Sequence, residues 1–358
     1  MAKRLRSGFT TGTCSAAAAK AATIAAVTGE PPANVEITFP DSSTKSFAVH
    51  SCVTQGDKVT ASIIKDAGDD PDVTNKAEIC ATIQLNPPEN PEGPFVTHDN
   101  IQLFRGEGVG VVTKPGLAIS VGEPAINPVP RQMIFKAIQE VTTADLSVTI
   151  SITNGEILAE KTLNHRLGII GGLSILGTTG IVRPISADAW TATISACMDV
   201  AREAGLTDVV LSTGRTSEKG AQHLLDLPEE AYAMMGDYLY FSLREAKIKG
   251  FTTVHYSGMW AKVMKAALKI PQTHVRNGAL EVSQGAELLE ELGAVPPLTD
   301  LLHKSNTARE MLTHIEATGQ TELITKVCRK AKQYAEEITG ATVHIYLIDH
   351  KAEVIAHV

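Results

Sequence analysis

The run Asn-His-Arg-Leu-Gly-Ile-Ile-Gly-Gly-Leu-Ser-Ile-Leu-Gly-Thr-Thr-Gly-Ile-Val-Arg-Pro, residues 164–184, gathers five glycines and two threonines between arginines and holds no carboxylate. Glycine reaches φ > 0 and lets a ligand approach the main chain. The apolar stretch 167–170 reads as a short buried strand. Ser186 and Asp188 suit the N-cap of a helix over 189–204. Strand, glycine-rich loop and helix together form the usual cradle for a nucleotide-type cofactor. Gly168, Gly171, Gly172, Gly177, Thr178 and Thr179 are therefore the candidate cofactor contacts. The spacing is neither GxGxxG nor GxxxxGK[ST], and a tight turn between strands is the competing reading.

A second constellation opens the chain. Thr10, Thr11 and Thr13 stand in Ser7-Gly8-Phe9-Thr10-Thr11-Gly12-Thr13-Cys14, directly before the Ala-rich run 15–22, a strong helix former. A helix start ringed by hydroxyls and preceded by Lys3, Arg4 and Arg6 suits a carboxylate or phosphate. An ordinary capped helix is the equal alternative. Asp66, Asp69, Asp70 and Asp72 offer oxygen ligands to a divalent cation, but they lack EF-hand spacing, and Asx turns around Pro71 are the favoured reading. His165, His255 and His274 fall at expected loops, where a lone histidine is usually a satisfied polar residue. Cys14, Cys52, Cys80, Cys197 and Cys328 form no CxxC, which gives no zinc site and fits a reducing cytoplasm. The sequence offers no catalytic triad, and no protein-bound metal is expected.

The elements that must position these residues change character along the chain. A length of 358 residues suggests two domains. Residues 1–162 read as strands with few helices, an α+β domain, including a hairpin around Asn154-Gly155. Residues 163–358 alternate strand and helix, which implies a three-layer, Rossmann-like α/β domain with ligands at the carboxyl ends of its strands. A cleft between the domains is the expected place for a substrate. Asp237 is placed to cap a helix over 238–249. No run of 18 apolar residues predicts a membrane span. A net charge of −8 with 4% aromatics argues against nucleic-acid binding. The oligomeric state is left open, with room for a homo-oligomer.

The opening motif with its Ala-rich helix resembles the CbiD family, the cobalt-precorrin-5B C-1-methyltransferases of cobalamin biosynthesis. Residues 65–74, 106–117, 122–131 and 167–184 resemble further blocks of that family, in family order. The second half departs from it: Ser257-Gly258-Met259-Trp260-Ala261-Lys262 and Thr273-His274-Val275-Arg276-Asn277 stand where the family has a Gly-Lys pair and a Thr-His-Ser-Arg-Val-Ala-Asp run, with Lys262 and Arg276 keeping the charge. The resemblance implies transfer of methyl from S-adenosylmethionine to a ring carbon of a cobalt-bearing tetrapyrrole, which brings its own cobalt. It also implies a polycarboxylate substrate. Arg105, Arg131, Arg166, Arg183 and Arg215 are candidate clamps for it, and Thr10, Thr11 and Thr13 are candidate carboxylate donors. Asp237 is the candidate for the cofactor ribose. The runner-up is an NADPH-dependent reductase of a similar macrocycle, because the hydroxyls and arginine of Ser212-Thr213-Gly214-Arg215-Thr216-Ser217 stand where an acidic residue usually meets the ribose. A non-catalytic tetrapyrrole carrier is the third class.

Overall fold

The computed structural model describes residues 5–87, 92–272 and 282–358. They form two compact units, Met1–Ser186 and Ala187–Val358. The run at 273–277, with His274 and Arg276, lies outside the described residues.

The first unit is built on a six-stranded sheet. Its strands run Ser51–Gln55, Lys58–Ile64, Glu78–Leu85, Leu146–Ile152, Ile101–Arg105 and Phe95–His98 across the sheet. All neighbours are antiparallel except Leu146–Ile152 beside Ile101–Arg105. The helix Thr11–Thr28 packs on Lys58–Ile64 and Glu78–Leu85 and against the second helix, Pro128–Gln139. Its run of alanines explains how. Side chains this small let the helix backbone approach neighbours on several sides, and nearly every residue from Thr11 to Ala25 is buried. Gly29 ends the helix in the left-handed conformation, its N–H donating to the Ala25 carbonyl.

Two expectations fail here for physical reasons. The Asn154-Gly155 hairpin does not form: Leu146–Ile152 has a partner on both edges, so no edge is left for a returning strand, and Gly155–Ala159 is a short helix. Residues 163–186 belong to the first unit rather than the second. Ile169–Ile170 pairs antiparallel with Val111–Val112, and Ile181–Val182 with Gly8–Phe9. The glycine-rich run is therefore not a strand-to-helix turn of the parallel sheet.

The second unit is α/β. Its sheet runs Tyr232–Met234, Asp208–Ser212, Thr253–Gly258, Thr342–Ile348 and Val354–His357, with the first four parallel and the last antiparallel. Successive residues of Thr253–Gly258 point to opposite faces. Ser257 donates to the Ser217 carbonyl in the helix Arg215–Leu224, and Tyr256 to the Lys262 carbonyl in the helix Trp260–Ala267. Helices thus cover both faces. Glu322–Thr339 packs with Trp260–Ala267 on its face, and Leu239–Ile248 packs with Glu322–Thr339.

All five glycines of the run 164–184 have positive φ, and Gly172 is the most constrained of them. Its φ is 151°, and a Cβ there would fall 2.4 Å from the Gly108 main chain. Gly172→Ala is expected to cost about 2 kcal/mol or more, since strain and overlap add. Gly29→Ala, with φ 77° and open space around it, should cost only about 1 kcal/mol. Denaturant melts of the two variants check this; equal losses would remove the packing account of the loop.

Candidate functional site

The two constellations read separately in the sequence meet in the first unit. The Gly12 N–H donates to the Leu176 carbonyl (3.1 Å) and the Thr10 N–H to the Gly180 carbonyl (3.1 Å). Thr11 exchanges hydrogen bonds with Leu176: the Leu176 N–H donates to Thr11 Oγ1 (2.9 Å), and Thr11 Oγ1 donates to the Leu176 carbonyl (3.2 Å). Thr13 Oγ1 donates to the Gly180 carbonyl (2.7 Å), while Thr10 Oγ1 caps the helix by accepting from the Thr13 N–H (3.2 Å). Thr10, Thr11 and Thr13 are all buried. As carboxylate donors they are already taken, because their hydroxyls close the helix start onto the loop.

The loop glycines serve the same closure. A Cβ on Gly177 would meet Thr10 Oγ1 at 2.4 Å, on Gly180 the Phe39 ring at 2.5 Å, and on Gly168 the Lys114 side chain at 2.5 Å. Gly171 differs: it is exposed, and its Cβ position lies 3.3 Å from a guanidinium nitrogen of Arg105. Thr178, Thr179 and Arg183 are exposed, and Leu176 is 52% exposed although its main chain is pinned at both ends. Arg166 is buried. Arg131 is committed to its own turn, donating to the Ile126 (2.6 Å) and Pro124 (3.2 Å) carbonyls and pairing with Glu123 (2.8 Å). Burial pushes the Cys14 thiol up to about 12, which leaves it inert.

The acidic loop is structural as well. Arg6 grips Asp66 with two nitrogens (2.5 and 2.8 Å), the Arg6 N–H donates to Asp69 (2.7 Å), and the Ile185 N–H donates to Asp70 (3.0 Å). Asp72 accepts from buried Lys65 (2.6 Å) and from both the N–H and the hydroxyl of Thr74. Arg6 holds two of the four carboxylates and the other two face separate partners, and the Gly68 and Thr74 N–H groups close Asx turns on Asp66 and Asp72, as the Asx-turn reading expects.

In the second unit, the chain order reverses between Asp208–Ser212 and Thr253–Gly258. The carboxyl ends of strands at such a reversal leave a crevice. Thr213, Gly214 and Arg215 follow one strand and lead into the helix Arg215–Leu224. Gly258 and Met259 follow the other and lead into Trp260–Ala267. A Cβ on Gly258 would touch the Thr213 methyl at 3.3 Å, whereas no heavy atom lies within 4 Å of a Cβ on Gly214. Asp237 follows Tyr232–Met234 and does not cap the next helix, whose N-cap is Tyr238 without a side-chain bond. It pairs instead with Lys262, on the helix beyond Gly258. The pair spans the end of Asp208–Ser212, which lies between the two strands concerned.

This order corrects the strand count behind the reductase reading. Asp208–Ser212 is the first parallel strand, not the second, so residues 212–217 form the first turn of the sheet. The end of the second strand carries an acidic residue, Asp237. The strand Tyr232–Met234 is too short for the sequence pattern to register. His255 lies away from the crevice, in contact with Asp208 (3.2 Å) and the Tyr346 hydroxyl (3.0 Å). His165 and Arg215 are exposed.

Comparison with known proteins finds two family models in the chain: CbiD over residues 1–184 and CbiD, C-terminal domain, over residues 272–358. A cobalt-precorrin-5B C(1)-methyltransferase of Desulfotalea psychrophila is 63% identical, over 98% of this chain and 97% of the relative. Relatives of the same name from Geobacter metallireducens and Thermus thermophilus are 46% and 44% identical, each over 94% of this chain and over 94% and 89% of their own lengths. The crystal structure of a cobalamin biosynthesis protein (cbiD) from Archaeoglobus fulgidus is similar with a TM-score of 0.40 at 25% identity, over 72% of this chain and 78% of that one. None of these names is that of a reductase.

The Arg6 hydrogen bonds, then the Gly68 N–H, hold the Asp66 carboxyl down at about 2. Its folded value thus lies below the unfolded value of about 3.9. The stabilisation is present above about pH 4 and is lost as pH falls toward about 2. Asp66→Asn should flatten this acid limb while lowering stability at neutral pH. Urea midpoints at several pH values read both effects, and an unchanged limb would show that the pair contributes nothing.

Proposed function

The chain belongs to the CbiD family, and on that premise we propose that it transfers the methyl group of S-adenosylmethionine to C-1 of cobalt-precorrin-5B, giving cobalt-precorrin-6A, in anaerobic cobalamin biosynthesis. The observation that carries this reading is identity of 63% to a relative of that name over nearly both full lengths. We place the reaction in the cytoplasm, in keeping with five cysteines that are all free thiols.

The second unit, read as Rossmann-like, is the proposed holder of the methyl donor. Its crevice fits an adenosyl amino acid. The first turn leaves the main chain at Gly214 open to close approach, and the helices Arg215–Leu224 and Trp260–Ala267 both begin there. Asp237 stands at the end of the second strand, where a carboxylate meets ribose hydroxyls. Lys262 beside it suits the carboxylate of the amino acid portion. Bound there, S-adenosylmethionine supplies a methyl group on a sulfonium, a leaving group that departs as a neutral thioether. What the chain adds is alignment of the acceptor carbon and exclusion of water.

The exposed side of the first unit's loop is the proposed place for the macrocycle. Leu176 and Ile170 offer apolar contact there, and Arg105 and Arg183 offer guanidinium groups to the substrate's carboxylates. Gly168, Gly172, Gly177, Thr10, Thr11, Thr13 and Arg131 are assigned to positioning this surface, in keeping with their contacts within the unit. Thr178 and Thr179 stay in the substrate or cofactor set.

Calorimetry tests the donor site. S-Adenosylhomocysteine should bind and NADPH should not, and Asp237→Asn should weaken binding about tenfold; binding of NADPH alone would restore the reductase. Arg183→Ala should raise KM for the tetrapyrrole with little change in melting temperature. Unaltered kinetics would remove Arg183 from the site.

A further inference from the structure

The chain has two tryptophans, Trp190 and Trp260, and both stand at the carboxyl end of the parallel sheet. Trp260 opens the helix after Gly258 and is buried, with 4% exposure. Trp190 lies in the first turns of Ala187–Glu203, the helix that precedes Asp208–Ser212 and packs beside Tyr232–Met234. The start of that helix lies at the turn that follows Tyr232–Met234, level with that strand's carboxyl end. The Trp190 indole there covers Gly236, with ring atoms Nε1, Cζ2 and Cε2 at 3.2–3.3 Å from where a Cβ would stand. Gly236 adopts φ 57° and directly precedes Asp237. A residue with no side chain lets the indole lie against the main chain on one side. Yet Trp190 remains 45% exposed, in a chain with only 4% aromatic residues.

We propose that the exposed face of Trp190 is the stacking platform for the adenine ring of the methyl donor. The assignment rests on the methyltransferase reading and adds the base-recognition element to it. In adenosine the ribose hydroxyls and the base project from one five-membered ring, so a group that holds the hydroxyls fixes where the base falls. Asp237 and the indole flank a single end-of-strand turn, separated by one glycine, and this matches the short reach from ribose to base. An indole presents a wide π face to a nucleobase with little side-chain freedom to lose. Helix packing does not require so large a ring where half of it stays in water, and burial of that face awaits a flat ligand.

The test uses full-length protein and S-adenosylhomocysteine. By calorimetry, Trp190→Ala should raise the dissociation constant about tenfold, the scale of one base-on-aromatic stack. Trp190→Phe keeps a π face and should stay within about threefold of wild type. Tryptophan emission gives a second readout. The ligand should quench wild type and Trp260→Phe but not Trp190→Phe, in which only Trp260 emits. Circular dichroism confirms that each variant is folded, and the Phe variant serves if the Ala variant is not. Wild-type binding with unchanged affinity in Trp190→Ala, or with quenching retained in Trp190→Phe, overturns the platform and leaves methyl transfer standing. Failure of the wild type to bind, alone and with tetrapyrrole present, overturns both.

Discussion

The first unit depends on how the helix Thr11–Thr28 begins. A helix start leaves N–H groups that nothing in the helix can satisfy, and this start is buried. The loop around 176–180 meets the need with main-chain carbonyls, and the threonines meet the loop in return. Once that closure is made, much else is fixed. Gly8–Phe9 must run beside Ile181–Val182, and the main chain at 67–68 must lie against residues 6–8, where the glycines leave room. An unsatisfied buried N–H costs about 1–3 kcal/mol, so a partial closure would be penalised several times over. The loop therefore has essentially one seat, and its outer side chains, including Leu176, are held in place without being buried.

That closure explains what the sequence could and could not disclose. Threonines at a helix start look the same whether they await an anion or a carbonyl 165 residues away. The local signal is chemically correct, but its partner is not local. Glycines at 168, 172, 177 and 180 correctly announce a left-handed backbone and close approach; the groups that approach within the unit are Lys114, Gly108, Thr10 and Phe39. The Asn154-Gly155 turn signal lost to topology, since both edges of its strand were taken. Periodicity located the strand–helix alternation of the second unit well. The strand Tyr232–Met234 escaped it because three residues carry no period, and that omission moved the acidic residue out of its place in the count.

Two ion pairs show how burial separates scaffold from site. Lys65 is 1% exposed, and Asp72, its partner, also holds the N–H and hydroxyl of Thr74. Burial pushes the Asp72 carboxyl up, but Lys65 and Thr74 outweigh it and hold it low. Removing Asp72 would strand the Lys65 ammonium in the interior, so the pair is fixed from the lysine side. Asp237 and Lys262 are each about a quarter exposed. Pairs nearer water contribute little net energy because solvent competes for both partners. In the proposed donor site a ribose diol and a carboxylate meet these two charges, a role the buried Lys65 is not placed to play. That difference in burial is why we propose the donor at the sheet end and not at Lys65. The pair lies across the end of the strand where the chain order reverses, beside the turn that leaves Gly214 open, so charge and open main chain stand together at one end of the sheet.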